Sequence, residues 1–452
     1  MGEPRRFDHR GYRRGAVRLL ALWIVAYILF AILPLVLALI DLDPGRGFLT
    51  NLSVAFGFVG LAMFGLQFVM AARSSIVEDP IGMDSVLVLH RFFGYAALVL
   101  SLAHPILLFT LDARYLDLLD IETAPWRAKL AVVAVFALIL LVVLSAMRRR
   151  FRLGYEAWQI SHSVLALVVV IAALAHTVMV GYYVHEPWEQ ALWIVYSAGF
   201  VGLGFWVRII KPLLRRRNAW IVDDITPEPG GAVTIALVPS RTDAAARFSF
   251  RPGQFAWIQA RRSPFSLTYH PFSFSSSAER PERVTFTIKP QHHFSRDVQE
   301  LRVGDRVYLD GPHGGLTMPP DRPLLLVGAG VGATPLVSML ETLADRRDPR
   351  PVTLWLANRD ERSITCGDAI EDVRPRLPQL EVVHVLSRPG EAWTGARGHL
   401  DAEFVRAHLP ADAEERAVCI CGPEAMMDAV ERELVDAGVP SASIRSERFG
   451  MV

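Results

Sequence analysis

Long apolar stretches follow one another through about the first 210 residues of this 452-residue chain. A helix needs about 20 predominantly apolar residues to cross the hydrocarbon core of a bilayer. Six stretches meet this requirement, at residues 19–40, 52–72, 86–111, 130–147, 158–180 and 191–210. One of them could be a buried helix of a globular protein. Six in succession predict a six-helix transmembrane bundle over residues 19–214, preceded by a short flank, 1–18.

The pattern changes after Arg217. Short runs rich in β-branched and aromatic residues, separated by turns, predict a small antiparallel β-barrel over residues 215–320. From residue 321 to residue 452, a strand, a glycine-rich loop and alternating helices and strands predict a doubly wound α/β domain. The chain is therefore predicted to be a multi-domain membrane protein with two soluble domains after its bundle.

The charges are balanced overall but unevenly placed. A formal net charge of +1 gives no basic field for binding nucleic acid, so the lipid bilayer is the expected large partner. Arginines concentrate in the N-terminal flank, at residues 148–152 and at residues 215–217, while the intervening loops carry acidic residues. By the positive-inside rule, we expect a multi-pass protein of the cell membrane whose N-terminus and soluble half are cytoplasmic.

Four histidines lie in the third and fifth apolar stretches, namely His90 and His104, and His162 and His176. Each pair is 14 residues apart, which returns the side chain to nearly the same helix face about 21 Å along the axis. Because the two stretches run in the same direction, we expect His90 to face His162 and His104 to face His176. Two imidazole pairs in a dry bundle predict axial ligation of two stacked b-type haems. The neighbouring Arg91 either pairs with a haem propionate or extends to the interface.

These features resemble the ferric reductase and NADPH oxidase superfamily, whose members have a six-helix haem domain with paired histidines in spans three and five. Residues 153–162, LGYEAWQISH, are similar to the segment that leads into span five in that family. The resemblance covers nearly the whole chain. It implies that the barrel binds FAD and that the α/β domain binds NAD(P)H.

The flavin site is implied by the motif at residues 270–276, HPFSFSS. The resemblance assigns His270 and Pro271 to FAD binding, Phe272 to packing on the flavin, and the hydroxyl of Ser273 to a catalytic hydrogen bond near the reactive nitrogen. The other implied FAD contacts are Ile288, Lys289, Phe294 and Ser295 around the pyrophosphate, and Gly311 and Gly314 in a turn that closes the pocket.

The nicotinamide nucleotide is expected at the glycine-rich loop 328–335, which follows an apolar strand and precedes an apolar helix. Glycines allow close backbone approach to a pyrophosphate at a helix N-terminus. After the next strand, Arg359 stands where an acidic residue would favour NADH. Arg359, with Arg388, therefore favours the 2′-phosphate of NADPH, with NADH as the alternative. The loop residues assigned to the nucleotide are Gly328, Gly330, Gly332, Thr334 and Pro335.

Two segments near the C-terminus complete the implied hydride-transfer site. The resemblance places Cys421, Gly422 and Pro423 beside the nicotinamide, where the thiol shapes the site. It implies that Phe449 stacks on the flavin until the nicotinamide displaces it.

The predicted function is transfer of electrons from NADPH through FAD and two haems b to an acceptor across the membrane. A ferric chelate is the favoured acceptor, and dioxygen, giving superoxide, is the alternative. Two other classes remain open: a transporter whose histidines relay protons under control of a nucleotide-binding domain, and a subunit that passes electrons to a separate enzyme.

Overall fold

The computed structural model describes residues 9–39, 47–72, 83–148, 150–184, 186–241, 248–260, 263, 265, 269–289, 298 and 300–448. The predicted cofactor contacts at Phe294, Ser295 and Phe449 lie outside these residues. The chain divides into two compact units. One comprises Val17–Ile81 and Ser85–Lys211, and the other is built mainly from Pro212–Val452.

The first unit is helical, as its apolar composition predicts. Its helices are α1 (His9–Ala38, in this unit from Val17 onward), α2 (Phe48–Ala71), α3 (Met83–Leu111, in this unit from Ser85 onward), α4 (Trp126–Ala146), α5 (Tyr155–Val180) and α6 (Pro187–Phe205). A short 3₁₀ turn, Ala113–Leu119, lies between α3 and α4. After α6 the chain passes through a π-turn, Trp206–Ile210, into α7 (Lys211–Arg217), which belongs to the second unit from Pro212 onward.

Five helices in the described residues are long and apolar enough to cross a membrane. The apolar part of α1 is shorter, at Ala21–Leu37. The six predicted stretches therefore all form helices, and the predicted helical membrane domain is confirmed. The five long candidates are Phe48–Ala71, Val86–Leu111, Trp126–Ala146, Ala157–Val180 and Pro187–Arg217.

Small residues let α2 approach its neighbours closely. A Cβ on Gly60 would lie 2.7 Å from the Ser101 hydroxyl of α3, and one on Gly65 would overlap the Phe200 ring of α6. Close backbone approach at small residues is how helices pack where lipid gives no hydrophobic driving force.

The second unit begins with the predicted antiparallel barrel. Its strands are β1 (Trp220–Glu228), β2 (Ala232–Pro239), β3 (Phe255–Gln259), β4 (His270–Ser273), β5 (Val284–Ile288) and β6 (Arg306–His313). Their order is β4-β3-β6-β1-β2-β5. A bridge between Phe274 and Phe286 joins the two outer strands, so the sheet closes on itself around a buried aromatic core.

The α/β domain follows as predicted. Its elements are β7 (Leu324–Ala329), α8 (Thr334–Arg346), β8 (Val352–Asn358), α9 (Gly367–Val373), β9 (Leu380–Leu386), β10 (Ala396–Arg397), α10 (Ala402–His408), β11 (Ala417–Cys421), α11 (Glu424–Asp436) and β12 (Ile444–Glu447). The parallel order is β10-β9-β8-β7-β11-β12. Because the order reverses beside β7, the carboxyl ends of β7 and β11 border the crevice where such sheets bind nucleotides.

Direct hydrogen bonds hold the barrel against α8 within the second unit. The buried Ser338 hydroxyl donates to the Ser276 carbonyl at 2.7 Å, and the Ala278 amide donates to the Thr342 hydroxyl at 2.9 Å. The two soluble domains are therefore fixed to each other by buried polar contacts.

Candidate functional site

The predicted inner histidine pair faces across helices α3 and α5. The ring centroids of His90 and His162 are 6.3 Å apart, and the ring planes are inclined at 49°. A metal ion held at about 2 Å from the near nitrogen of each ring separates the centroids by roughly 6 Å. The pair is therefore spaced for one ion between the two imidazoles.

Hydrogen bonds orient the second pair. His104 donates from Nδ1 to the Ser53 carbonyl at 2.9 Å, and His176 donates from Nδ1 to the Arg127 carbonyl at 2.8 Å. A carbonyl only accepts, so the proton lies on Nδ1 and the Nε2 lone pair of each ring is available to a metal. His104 and His176 also lie within electrostatic range of each other.

Helix α2 shapes the space around His104. A Cβ on Gly57 would lie 3.2 Å from Cγ of the His104 ring, so a glycine lets α2 lie directly against the imidazole. The buried Ser53 hydroxyl also donates to the His104 carbonyl at 2.8 Å. Helix α2 therefore contacts both the ring and the backbone of this residue.

Two imidazoles suit a metal that brings its other ligands with it. No group of three or more His, Cys, Asp or Glu converges among the described residues, so no part of the described chain offers a full ligand set for a bare ion. A porphyrin supplies four equatorial nitrogens and leaves two axial positions. The inner pair, in its apolar bundle, fits such a group. Arg91, predicted as a propionate partner, is exposed on α3.

The flavin motif forms strand β4, paired with β3 in the barrel. Ser273 lies opposite Phe255 and is buried, while His270, Pro271 and Phe272 are half-buried. Ile288 ends strand β5, and Lys289 follows it directly. The strand therefore presents the motif residues together, on a part of the barrel that packs beside the α/β domain through Ser276.

The turn after β6 reaches the end of β12. Gly314 has φ +103°, and a Cβ there would lie 2.8 Å from a carboxylate oxygen of Glu447. Gly311 leaves a similarly narrow space against Ala256, at 3.0 Å. Gly314 therefore brings the barrel turn against the edge of the α/β sheet, whereas Gly311 packs the end of β6 against strand β3 of the barrel.

Glu447 is a buried residue that the sequence reasoning did not assign. It lies in register with Cys421 on the neighbouring strand β11. Burial raises the pKa of the Cys421 thiol, and the Glu447 carboxylate raises that pKa further. The thiol is therefore neutral and not nucleophilic, which agrees with a shaping role at the site. The sequence signal that could have identified Glu447 is its position just before Phe449, the predicted C-terminal aromatic residue.

The glycine loop packs against the end of β11. Gly330 has φ +53°, which glycine adopts without strain. A Cβ on Gly332 would lie 2.3 Å from the Cys421 carbonyl oxygen. Residue 332 must therefore be glycine because the loop contacts strand β11 at this point, whether or not a phosphate also approaches the backbone there. Gly328 is confined in the same way, with a Cβ contact of 2.9 Å to Leu336.

Thr334 and Pro335 begin helix α8. The buried Thr334 hydroxyl donates to the Val331 carbonyl at 2.7 Å and so closes the loop. Pro335 occupies the first turn, where its missing amide hydrogen has no cost. Across the crevice, Gly422 lies against Ala329, and Pro423 caps helix α11. The predicted residues of the loop and of the Cys421 motif thus meet at one edge of the sheet.

The two predicted phosphate-binding arginines are neighbours at the ends of β8 and β9. The Arg388 amide donates to the Arg359 carbonyl at 2.7 Å, and both side chains are exposed. The Glu361 carboxylate lies in the same loop and accepts from the Gly390 amide at 3.0 Å. The position offers two exposed guanidinium groups to an anion, with one acid held nearby by a backbone amide.

Three family models match the chain, in the order predicted for its domains. Residues 56–173 match the ferric reductase like transmembrane component, residues 233–315 an FAD-binding domain, and residues 326–432 an oxidoreductase NAD-binding domain. The predicted fold class and the prediction of a nicotinamide-dependent oxidoreductase are thereby confirmed.

Individual relatives are similar to parts of the chain at modest sequence identity. The chain is 27% identical over 285 residues to NADH-cytochrome b5 reductase 1 of Mortierella alpina, across 59% of this chain and 92% of the relative. It is 30% identical over 233 residues to the stachydrine N-demethylase reductase subunit Stc4 of Rhizobium meliloti, across 50% of this chain and 64% of that protein. The solved ferredoxin reductase of carbazole 1,9a-dioxygenase has 26% identity and a TM-score of 0.45, covering 51% of this chain and 69% of that structure.

Proposed function

The three matched domains, in this order, form the architecture of the ferric reductase and NADPH oxidase superfamily, and on that premise we propose that the chain reduces a ferric chelate outside the cell with electrons from cytoplasmic NADPH. The soluble half would lie in the cytoplasm, on the side marked by the arginines at 148–152 and 215–217. FAD and two haems b would be the resident cofactors.

The observation that carries this proposal is the facing pair His90 and His162. At a ring separation of 6.3 Å, these two imidazoles would hold one iron porphyrin between them. His104 and His176 would hold the second, because the Nδ1 bonds to backbone carbonyls leave Nε2 of each ring for the metal. When bound, FAD accepts a hydride and releases electrons singly, and the haems carry single electrons.

The remaining roles belong to groups at the edge of the α/β sheet. The loop at Gly330 and Gly332 would hold the pyrophosphate, and Arg359 with Arg388 would hold the 2′-phosphate of NADPH. Cys421 would form a neutral wall beside the nicotinamide, since burial raises its pKa. Ser273 would donate a hydrogen bond to the flavin.

The match of residues 56–173 to the ferric reductase like transmembrane component supports a ferric chelate as the proposed acceptor. The acidic loop between α3 and α4 adds little support for this acceptor. Asp112 pairs with Arg114 at 2.7 Å, and Asp120 accepts from the Thr123 hydroxyl and the Glu122 amide. These contacts lower the pKa of both aspartates and commit them to the turn.

The experiment is anaerobic reduction of the purified full chain by NADPH, followed by mixing with a ferric chelate or with dioxygen. We expect two b-type haems per chain, reduced by NADPH and reoxidised by the ferric chelate faster than by dioxygen. Faster reoxidation by dioxygen with release of superoxide would show that dioxygen, and not a ferric chelate, is the acceptor. A chain without haem after expression in haem-replete cells would overturn the electron path, as would full haem content in both His104→Ala and His176→Ala.

A further inference from the structure

Ser145, on helix α4, lies at the centre of a hydrogen-bonded group beside the inner histidine pair. Its Oγ is 3.1 Å from Nδ1 of His162, 3.2 Å from Nε1 of Trp158 and 2.8 Å from the Leu141 carbonyl. Both aromatic rings belong to helix α5, and their centroids are 5.5 Å apart. The hydroxyl thus connects α4 to the residue proposed as an iron ligand.

The direction of each hydrogen bond follows from chemistry. The Leu141 carbonyl only accepts, so the single hydroxyl hydrogen of Ser145 is donated there. The indole of Trp158 only donates, so the serine oxygen accepts from it. With its hydrogen committed, Ser145 can only accept from His162 as well. The proton of the His162 ring is therefore held on Nδ1, and the lone pair of Nε2 is left for a metal.

The four histidines differ in the hydrogen-bond partner of Nδ1. His104 and His176 donate to backbone carbonyls, which no substitution removes, and the Ser53 hydroxyl also lies 3.0 Å from Nδ1 of His104. The buried Nδ1 of His90 has no hydrogen-bond partner among the described residues. Within the inner pair, Ser145 therefore supplies a side-chain hydrogen bond to one ring, that of His162.

Building on the proposed function, we infer that Ser145 is a positioning residue for the inner haem, holding the His162 imidazole in the ligating tautomer and in its ring orientation. Outer contacts of this kind raise the basicity of an imidazole ligand. Trp158 shares the same acceptor, so it competes with His162 for the serine oxygen. The guanidinium of Arg148 lies 5.1 Å from the Trp158 ring centroid, and this contact helps to fix the indole.

The test uses the full-length holoprotein and the low-spin ferric electron paramagnetic resonance signals of the two haems. In Ser145→Ala we expect the signal of one haem to shift and that haem to be retained about tenfold less tightly, with the other unchanged. Ser145→Thr keeps the hydroxyl and should restore both properties. Ser161→Ala is the matched control, because within the described part of the chain the Ser161 hydroxyl donates to the Trp158 carbonyl, at 3.0 Å, and not to a histidine.

Trp158→Phe provides a second line of evidence that does not depend on the stability of Ser145→Ala. Removal of the competing donor should strengthen the bond from His162 to Ser145 and move the same signal in the opposite direction. The inference fails if Ser145→Ala and wild type share both signals and haem retention. It also fails if the two substitutions affect different haems. A wild-type chain without haem would instead refute the proposed function.

Discussion

Replacing Gly332 with alanine tests whether the nucleotide loop must touch strand β11. The added Cβ would lie 2.3 Å from the carbonyl oxygen of Cys421 and 2.9 Å from Cα of Gly422, whereas ordinary contact begins at 3.4 Å. The loop must therefore withdraw from the strand by about 1.1 Å. Both contacts are with backbone atoms, so no side-chain rotation can relieve them.

The structural cost has two measurable parts. Overfilling a packed site of this kind destabilises a protein by about 1–3 kcal/mol. The displacement also separates the loop from the end of β11, where the nicotinamide is proposed to lie beside Cys421. A misplacement of about 1 Å between reacting groups lowers a rate by roughly 100-fold. We therefore expect slower reduction of the flavin at an unchanged flavin content.

The assay is anaerobic stopped-flow reduction of the bound flavin by NADPH, together with thermal unfolding of the same preparation. Gly315→Ala is the control, because its Cβ would meet nothing within 4 Å and the residue lies close to the same site. We expect the control to match wild type in both measurements. A Gly332→Ala protein with the wild-type rate and unfolding midpoint would refute the claim that loop and strand are in obligatory contact.

Three further predictions concern the soluble half. Burial raises the pKa of the Cys419 thiol from 9.0 to about 12, so the folded state keeps a proton that the unfolded state loses, and stability should fall as the pH rises from about 9 to about 12; urea midpoints across this range should fall less steeply in Cys419→Ala. Alanine at Arg359 or Arg388 should raise the KM for NADPH about tenfold and leave that for NADH unchanged, because only NADPH carries the 2′-phosphate; equal changes for both nucleotides would contradict the assignment. Ser338→Ala should lower the free energy of unfolding by about 1 kcal/mol, whereas Arg280→Ala, whose ion pairs are half exposed, should cost less than about 1 kcal/mol in urea titrations, and the reverse order would be evidence against buried polar contacts as the main link between the two domains.

The histidine pairs could be predicted from the sequence because their geometry is almost local. A repeat of 14 residues fixes the helix face, and the number of intervening spans fixes the direction of the helix. The facing rings of His90 and His162 agree with that prediction. The order of the domains could equally be predicted from the sequence, since strands and helices differ in the period of their apolar residues.

Contacts that depend on the register between distant elements could not be predicted. Glu447 meets Cys421 only because β12 pairs with β11 in one particular register, and Gly314 reaches it only because the barrel packs against that sheet edge. Neither relation leaves a periodic signal in the chain. The sequence therefore indicated the motifs of the proposed hydride-transfer site and left out the buried carboxylate beside Cys421.

The same distinction separates the proposed ligands of the inner haem from Ser145, the residue that contacts one of them. A histidine in an apolar span is conspicuous, because an ionisable group there is costly without a function. A serine is not conspicuous, since its hydroxyl can donate a hydrogen bond to the carbonyl one turn earlier, as Ser145 does to Leu141. That bond looks purely local, yet it turns the serine lone pairs toward α5 and determines which nitrogen of His162 carries the proton. The chemistry of the inner pair therefore depends on how α4 and α5 are aligned, which only the folded structure reveals.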